Sequence, residues 1–263
     1  MAITSASQLI GAAKQAINYV RTGARTTVAA GWFTVFDGAG SPGSGTLAGA
    51  NTTTGVVPDD TVAGFPTISA FGGGNIGYLA QVDFGNSVAC RIRIYDLLWK
   101  AGAYAFNAST TGQTPTSYAA RIPNADYTDC EIWLEQVTAG TGVQSVAVTY
   151  TNELGVAGRA TGTIVTGTNT VGRMFRLPLQ AGDKGVQGIT GVVGSVATVG
   201  TFNILVMRPL WSGRVRVNND GDIHGPDKTM MKQIFDTSAI YPIIAADSTT
   251  SGVYEIEMTI ANG

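Results

Sequence analysis

Apolar and polar residues alternate along much of the chain. In residues 253–260, Tyr254, Ile256, Met258 and Ile260 alternate with Glu255, Glu257 and Thr259. In residues 87–98, Cys90, Ile92 and Ile94 alternate with Arg91, Arg93 and Tyr95. Successive side chains of a strand point to opposite faces, so both stretches predict strands with one face buried. Shorter β-like runs fall at 26–36, 65–70, 78–84, 129–137, 143–151, 158–165 and 211–217. The block 174–209 is the most apolar part of the chain, with charge only at Arg176, Asp183, Lys184 and Arg208. Its second half is rich in Val, Ile and Thr, whose branched side chains suit a pleated backbone. Gly185, Gly188, Gly191, Gly194 and Gly200 exclude a stable helix there, at ~1 kcal/mol each relative to Ala. The block is expected to be buried β-structure with a turn at 180–185 and two strands, 186–199 and 202–209.

One segment has helical spacing instead. Leu9, Ala12, Ala13, Ala16, Ile17 and Val20 recur with a period near 3.6, which predicts a helix over 5–22. Ser5 with Gln8 forms a capping box, and Gly23 suits a stop. The face is small and Ala-rich, so the helix needs a surface to lie on, either its own body or a neighbouring subunit. Residues 38–58 carry no charge and contain six glycines. That is long for a connection, and predicts a mobile linker loop or an arm that orders against a partner. Leu9, Ile10 and Ile17 of the helix, with Thr46 and Leu47 of the arm, are the candidate partner contacts. Residues 101–119 are also uncharged and loop-like, and 230–235 suggests a short helical turn. The resulting fold class is all-β: an antiparallel β-sandwich or jelly-roll body with one N-terminal α-helix and long Gly-rich loops. The expected organisation is a helical segment at 1–24 and one β-sandwich domain at 25–263, with an extended loop at 38–58.

Composition narrows the partners. Charged residues make up 13% of the chain, about half the usual ~25%. The net charge of −2 argues against a dedicated nucleic-acid binder, which needs a basic face. Arg91, Arg93, Arg208, Arg214 and Arg216 read as solvated strand residues. Cys90 and Cys130 sit on apolar runs and read as buried free thiols, not a disulfide framework. The N-terminus lacks the pattern of a secretory signal. No apolar run approaches the ~18 residues of a membrane span, so neither nucleic acid nor membrane is an expected partner.

Candidate chemistry is sparse. His224 is the sole histidine, and no Gly-x-Ser-x-Gly elbow accompanies it, so a Ser-His or Cys-His nucleophile is not expected. One His and two distant Cys lack zinc spacing. Asn218, Asn219, Asp220, Asp222 and Asp227 supply oxygen donors of the kind calcium prefers, but their order is that of turn chemistry, and whether this loop holds a cation stays open. Gly72, Gly74 and Gly77 match a dinucleotide fingerprint without the helix that must follow it. Glu131 with Glu135, and Glu255 with Glu257, share strand faces as a glycosidase pair must, yet solvent-facing positions are the expectation for them. The chain is expected not to be an enzyme and to hold no catalytic residue, metal or cofactor.

Four stretches carry a resemblance: Arg93 to Trp99, Glu131 to Glu135, Val148 to Asn152 with Gly155 to Arg159, and Leu177 to Val186. Together, over about residues 90–210, they resemble virion proteins of tailed bacteriophages. The resemblance implies a head decoration or cement protein that binds the outer capsid surface and stabilises the shell. It also implies the major capsid protein as partner, a homo-oligomer, and a virion location after assembly in the bacterial host cytoplasm. Uncharged arms can lie against another protein without stranding charge at the interface core, and several weak contacts gain from high effective concentration. The alternative is a tail or fibre-associated module that binds a host glycan, with Tyr95, Trp99, Tyr104 and Trp133 as sugar-stacking faces.

Overall fold

The computed structural model describes residues 2–106, 111–194 and 199–263. Parts of two expected segments, 107–110 of the 101–119 loop and 195–198 of the strand expected over 186–199, lie outside the described residues.

The chain opens with a short helix, α1 (Ala6–Gly11), and strand β1 (Ala13–Arg21). It continues through β2 (Phe33–Thr34), β3 (Gly40–Ser41), β4 (Gly77–Asn86), β5 (Cys90–Ala105) and β6 (Thr111–Gly112). Next come β7 (Glu131–Thr138), β8 (Gln144–Asn152), β9 (Arg159–Ala160), β10 (Ile164–Thr166), β11 (Met174–Leu177) and β12 (Val186–Gly194). The long strand β13 (Thr201–Val215) leads to β14 (Asp220–His224), one helical turn α2 (Pro226–Thr229), β15 (Gln233–Ile234), β16 (Ile240–Ala246) and β17 (Tyr254–Asn262). The body is mostly antiparallel β-sheet with a short N-terminal helix, as its alternation predicts.

Three sheets form. The central one has the order β11-β7-β13-β5-β16-β2, and its spine is the pairing of β5 with β13 from Cys90↔Val215 to Ala105↔Thr201. A second sheet, β14-β4-β17-β1-β3, packs on one half of the central sheet, and a smaller one, β10-β8-β12-β6, on the other half. The first contact buries Ile17, Tyr19, Leu79, Val82, Ile256 and Met258 against Ile92, Ile94, Leu210 and Trp211. The second buries Val146, Val148, Tyr150, Ile189 and Val192 against Leu98, Ile132, Leu134, Ile204 and Val206. The opposite face of the central sheet, carrying Tyr95, Leu97, Trp133, Leu205, Met207, Tyr241 and Ile243, is covered by Phe36, Leu47 and Phe65 from loops.

Three expectations are corrected here. The helix predicted over 5–22 ends at Gly11, and 13–21 is a nine-residue strand. Its inward positions are Ile17, Tyr19 and Arg21. An arginine on the core side broke the alternation in the sequence and left the helical spacing of small residues as the visible signal. Ser5 does cap the helix, accepting from the Gln8 amide at 3.2 Å. The second correction concerns residues 38–58, which lie along their own body. Val56 and Lys100 exchange backbone hydrogen bonds of 2.8 and 2.9 Å, Gly102 donates to the Asn51 carbonyl, and Thr114 donates to the Thr53 carbonyl. A chain with few charges and many glycines can follow a folded surface closely, which is why composition alone suggested a mobile segment. The helical turn expected at 230–235 falls earlier, at α2, and β15 occupies part of its place.

Candidate interaction surface

The predicted contact residues separate. Ile17 belongs to the core between two sheets and Leu47 to the loop-covered core, so neither offers a surface. Thr46 adjoins Leu47 on the arm, and its carbonyl accepts from Lys100 Nζ at 3.3 Å. Leu9 and Ile10 sit on α1, where no residue is buried, and Ile10 is 78% exposed.

The candidate chemistry is consumed by structure. Tyr95, Trp99, Tyr104 and Trp133 are all buried and present no stacking face to a sugar. Glu135, expected to face solvent, is fully buried, because β7 lies inside the central sheet and this position meets the covering arm. Glu131 accepts from Tyr95 Oη at 2.9 Å and Trp133 Nε1 at 2.8 Å, and pairs with Arg176 at 3.2 Å. A hollow of about 300 Å³ beside it is lined by Arg93, Trp211, Lys228 and Met230. Glu255 and Glu257 face solvent. Arg208, expected on the surface, is buried against Asp96 at 3.3 Å. His224 accepts from Trp211 Nε1 at 3.0 Å on Nδ1 and meets Asp222 at 2.9 Å on Nε2, an arrangement that ties β14 to β13. Among the described residues no group of three or more His, Cys, Asp or Glu is placed to hold a metal ion. Cys90 and Cys130 are free and buried; burial pushes the Cys130 thiol up to about 12, which keeps it protonated and unreactive. Among the described residues no helix is long and apolar enough to cross a membrane.

What the structure leaves open is an uncharged stretch of surface on the small sheet. From 137 to 172 only Glu153 and Arg159 carry charge. Val143, Val165 and Val199 are 64%, 68% and 68% exposed and group at one end of β8. Val165 stands on edge strand β10 opposite Ser145, and the Val199 carbonyl accepts from Gln144 at 3.2 Å. At the other end of β8, Leu154 and Val156 are exposed on a turn held by the Asn152 side chain, which accepts from both amides at 3.1 and 2.9 Å. At the Val143 end the exposed aliphatic groups have no charge between them, which is the composition of an interface core. Sequence reasoning missed these five residues. Only Val165 stands at an outward strand position; Val143, Leu154, Val156 and Val199 lie in turns and connections, where the apolar residue type itself was the available signal.

No family model matches the chain, and no curated protein matches it. Solved structures do come up. The VP2 subviral particle of infectious bursal disease virus is 9% identical, with 95% of this chain and 79% of that chain covered and a TM-score of 0.20. The Gx strain of the same virus is 10% identical, with 95% and 80% covered and a TM-score of 0.18. The T13 particle of that virus is 9% identical, with 95% and 77% covered and a TM-score of 0.20. Likeness at this level carries no argument about what the chain does.

The tailed-bacteriophage resemblance is corrected by these comparisons. The structures named above are of infectious bursal disease virus, not of a tailed phage, and no family model or curated protein supports a tailed-phage assignment. The place on a phage head and assembly in a bacterial cytoplasm fall with it. Three of the quoted stretches are accounted for by the fold, since Arg93 to Trp99, Glu131 to Glu135 and Val148 to Asn152 are segments of β5, β7 and β8 whose inward residues fill the cores.

Proposed function

We propose that this chain is a structural protein of a virus particle and works by contact with other protein subunits. The observation that carries the reading is the uncharged surface of the small sheet, with Val143, Val165 and Val199 exposed beside an edge strand. Shells repeat one contact many times in closed symmetry, so a modest patch on each copy is sufficient. The neighbours are other copies of the chain or a separate shell subunit. The finer reading is a cement role, in which the chain lies on a shell built by another protein and stabilises it.

Purified particles should contain the chain in fixed ratio to the other shell proteins, and particles free of it overturn the proposal. The double substitution Val143→Asp with Val165→Lys should abolish incorporation while leaving the melting temperature of the isolated chain unchanged. Removing the chain separates the finer readings: shells that form but release their genome on mild heating indicate cement, and failure to form shells indicates a shell subunit.

A further inference from the structure

Three polar side chains meet on the arm-covered face of the central sheet: Lys100 on β5, Glu135 on β7 and Asn203 on β13. Asn203 lies directly opposite Glu135, and Lys100 lies opposite Leu205, one same-face step along β13. Diagonal neighbours at this spacing are within reach of a long side chain. Glu135 Oε2 is 3.4 Å from Lys100 Nζ and accepts from Asn203 Nδ2 at 2.7 Å. The other carboxylate oxygen accepts from the Tyr241 hydroxyl, which in turn is 2.6 Å from Thr34 Oγ1. The Asn203 carboxamide is fixed in orientation: Nδ2 also donates to the Leu47 carbonyl at 2.6 Å, and Oδ1 accepts from the Gly49 amide at 3.0 Å. Glu135 and Asn203 are fully buried and Lys100 nearly so. The Phe36 ring lies 5.6 Å from Nζ.

A buried Lys–Glu pair alone is weak evidence of stabilisation, and neutralising Glu135 does not call for a carboxamide. What distinguishes this cluster is a third group with an electrophilic carbon. An amine, a base and a carboxamide whose oxygen already faces a backbone N–H are the parts of an amide exchange, held in place without translational freedom.

We propose that Lys100 and Asn203 are a self-modification site, joined by an isopeptide bond with Glu135 as the proton carrier. The Lys100 ammonium gives a proton to Glu135, and the freed lone pair on Nζ attacks Asn203 Cγ. Charge that develops on Oδ1 meets the Gly49 N–H, as a donor placed at a developing oxyanion should. Glu135 delivers its proton to Nδ2, and the Cγ–Nδ2 bond breaks with its electron pair leaving on nitrogen. Of the three ammonium protons one stays on the new amide, one completes ammonia and one leaves with it as ammonium. Glu135 returns to carboxylate, and no oxidant or reductant enters. A hollow of about 280 Å³ under the arm, lined by Phe36, Val57, Phe65 and Lys100, gives the ammonia a way out. The product ties the two central strands covalently beneath residues 46–49.

The test is the mass of the purified, denatured full-length chain. The expected result is a deficit of one ammonia, with one digestion product joining the Lys100 and Asn203 peptides and no tryptic cleavage after Lys100. Lys100→Arg preserves a cation beside Glu135 without a competent nucleophile and should show the full sequence mass. Glu135→Gln should show the full mass or form the link at least a hundredfold more slowly. Full mass in the unaltered protein, with cleavage after Lys100, overturns the proposal. So does an ammonia deficit that persists in Lys100→Arg, and linkage at an undiminished rate in Glu135→Gln overturns the role of that carboxylate.

Discussion

Two carboxylates are buried in the central sheet on opposite faces, and their partners differ in kind. Asp96 lies with Ile94 and Leu98 on the face that the other two sheets cover. It accepts from Ser238 Oγ at 2.9 Å and the Ala239 amide at 3.1 Å, and pairs with Arg208 and Arg121 at 3.3 and 3.5 Å. Glu135 lies with Trp133 on the face covered by loops, against a lysine and a carboxamide. Guanidinium groups stay charged and offer several donors in a fixed plane, which suits a permanent junction. An amine can release its proton and become a nucleophile. Burial is common to both sites, so it does not decide what a buried acid does; its partners do.

The largest effect is expected where the comparison is broken on the arginine side. Asp96→Ala leaves Arg121 and Arg208 buried with no carboxylate, and each already has a side-chain Nε without a partner among the described residues. Removing one member of such a group costs about 3–5 kcal/mol. Urea denaturation should show the midpoint falling accordingly, and a loss below about 1 kcal/mol would mean that water reaches these arginines.

A smaller effect is expected on the lysine side from Gly102→Ala. Gly102 has a φ of +149° and a Cβ there would run into the Asn203 carboxamide. Strained backbone and overpacking each cost about 1–3 kcal/mol. The variant should also displace Asn203 from Glu135, so the ammonia deficit should disappear while the fold, followed by circular dichroism, persists. Retention of both the deficit and full stability would show that the carboxamide is free to move.

How far these sites were legible in the sequence follows from what alternation reports. Where inward positions were apolar, as in β17 and the first half of β5, the strand and its face could be read directly. Where an inward position was polar, the reading failed. Arg21 hid β1 behind a helical spacing, Arg208 was assigned to solvent, and Glu135 was treated as exposed. Asp96 drew no attention, because its partner Arg121 lies in a turn far along the chain. The arm failed for a different reason. Its contacts are made largely through its own backbone, to β5 and to side chains such as Gln113, Thr116 and Asn203, which any uncharged sequence can make. The five exposed aliphatic residues of the small sheet were passed over because an apolar residue in a turn, or at the outward position of a strand, looks the same in sequence as one that fills a core.

A third acid, whose carboxylate is also buried, tests the effect of its partners at the rim of the small sheet, with the smallest expected effect. Asp183 sits in the 180–185 turn, where Arg159 donates to both carboxylate oxygens at 2.9 Å and Tyr150 Oη and Asn152 Nδ2 donate at 2.6 and 2.9 Å. Led by the Arg159 hydrogen bonds, these donors hold its carboxyl well below the usual carboxylate range. Burial and the bond to Asp183 push the Tyr150 hydroxyl up to about 12, so it stays a donor at neutral pH. A folded-state value below the unfolded one contributes stability that is complete above the unfolded pKa and is lost as pH falls toward the folded one. Melting temperatures of the unaltered chain and Asp183→Asn should therefore differ by a constant amount near neutral pH. The gap should narrow once pH drops through the ordinary aspartate range, and close below it. A gap that does not change with acidification would assign the effect to the shape of the turn, and the contrast between Asp96 and Glu135 would then need burial as well as partner to explain it.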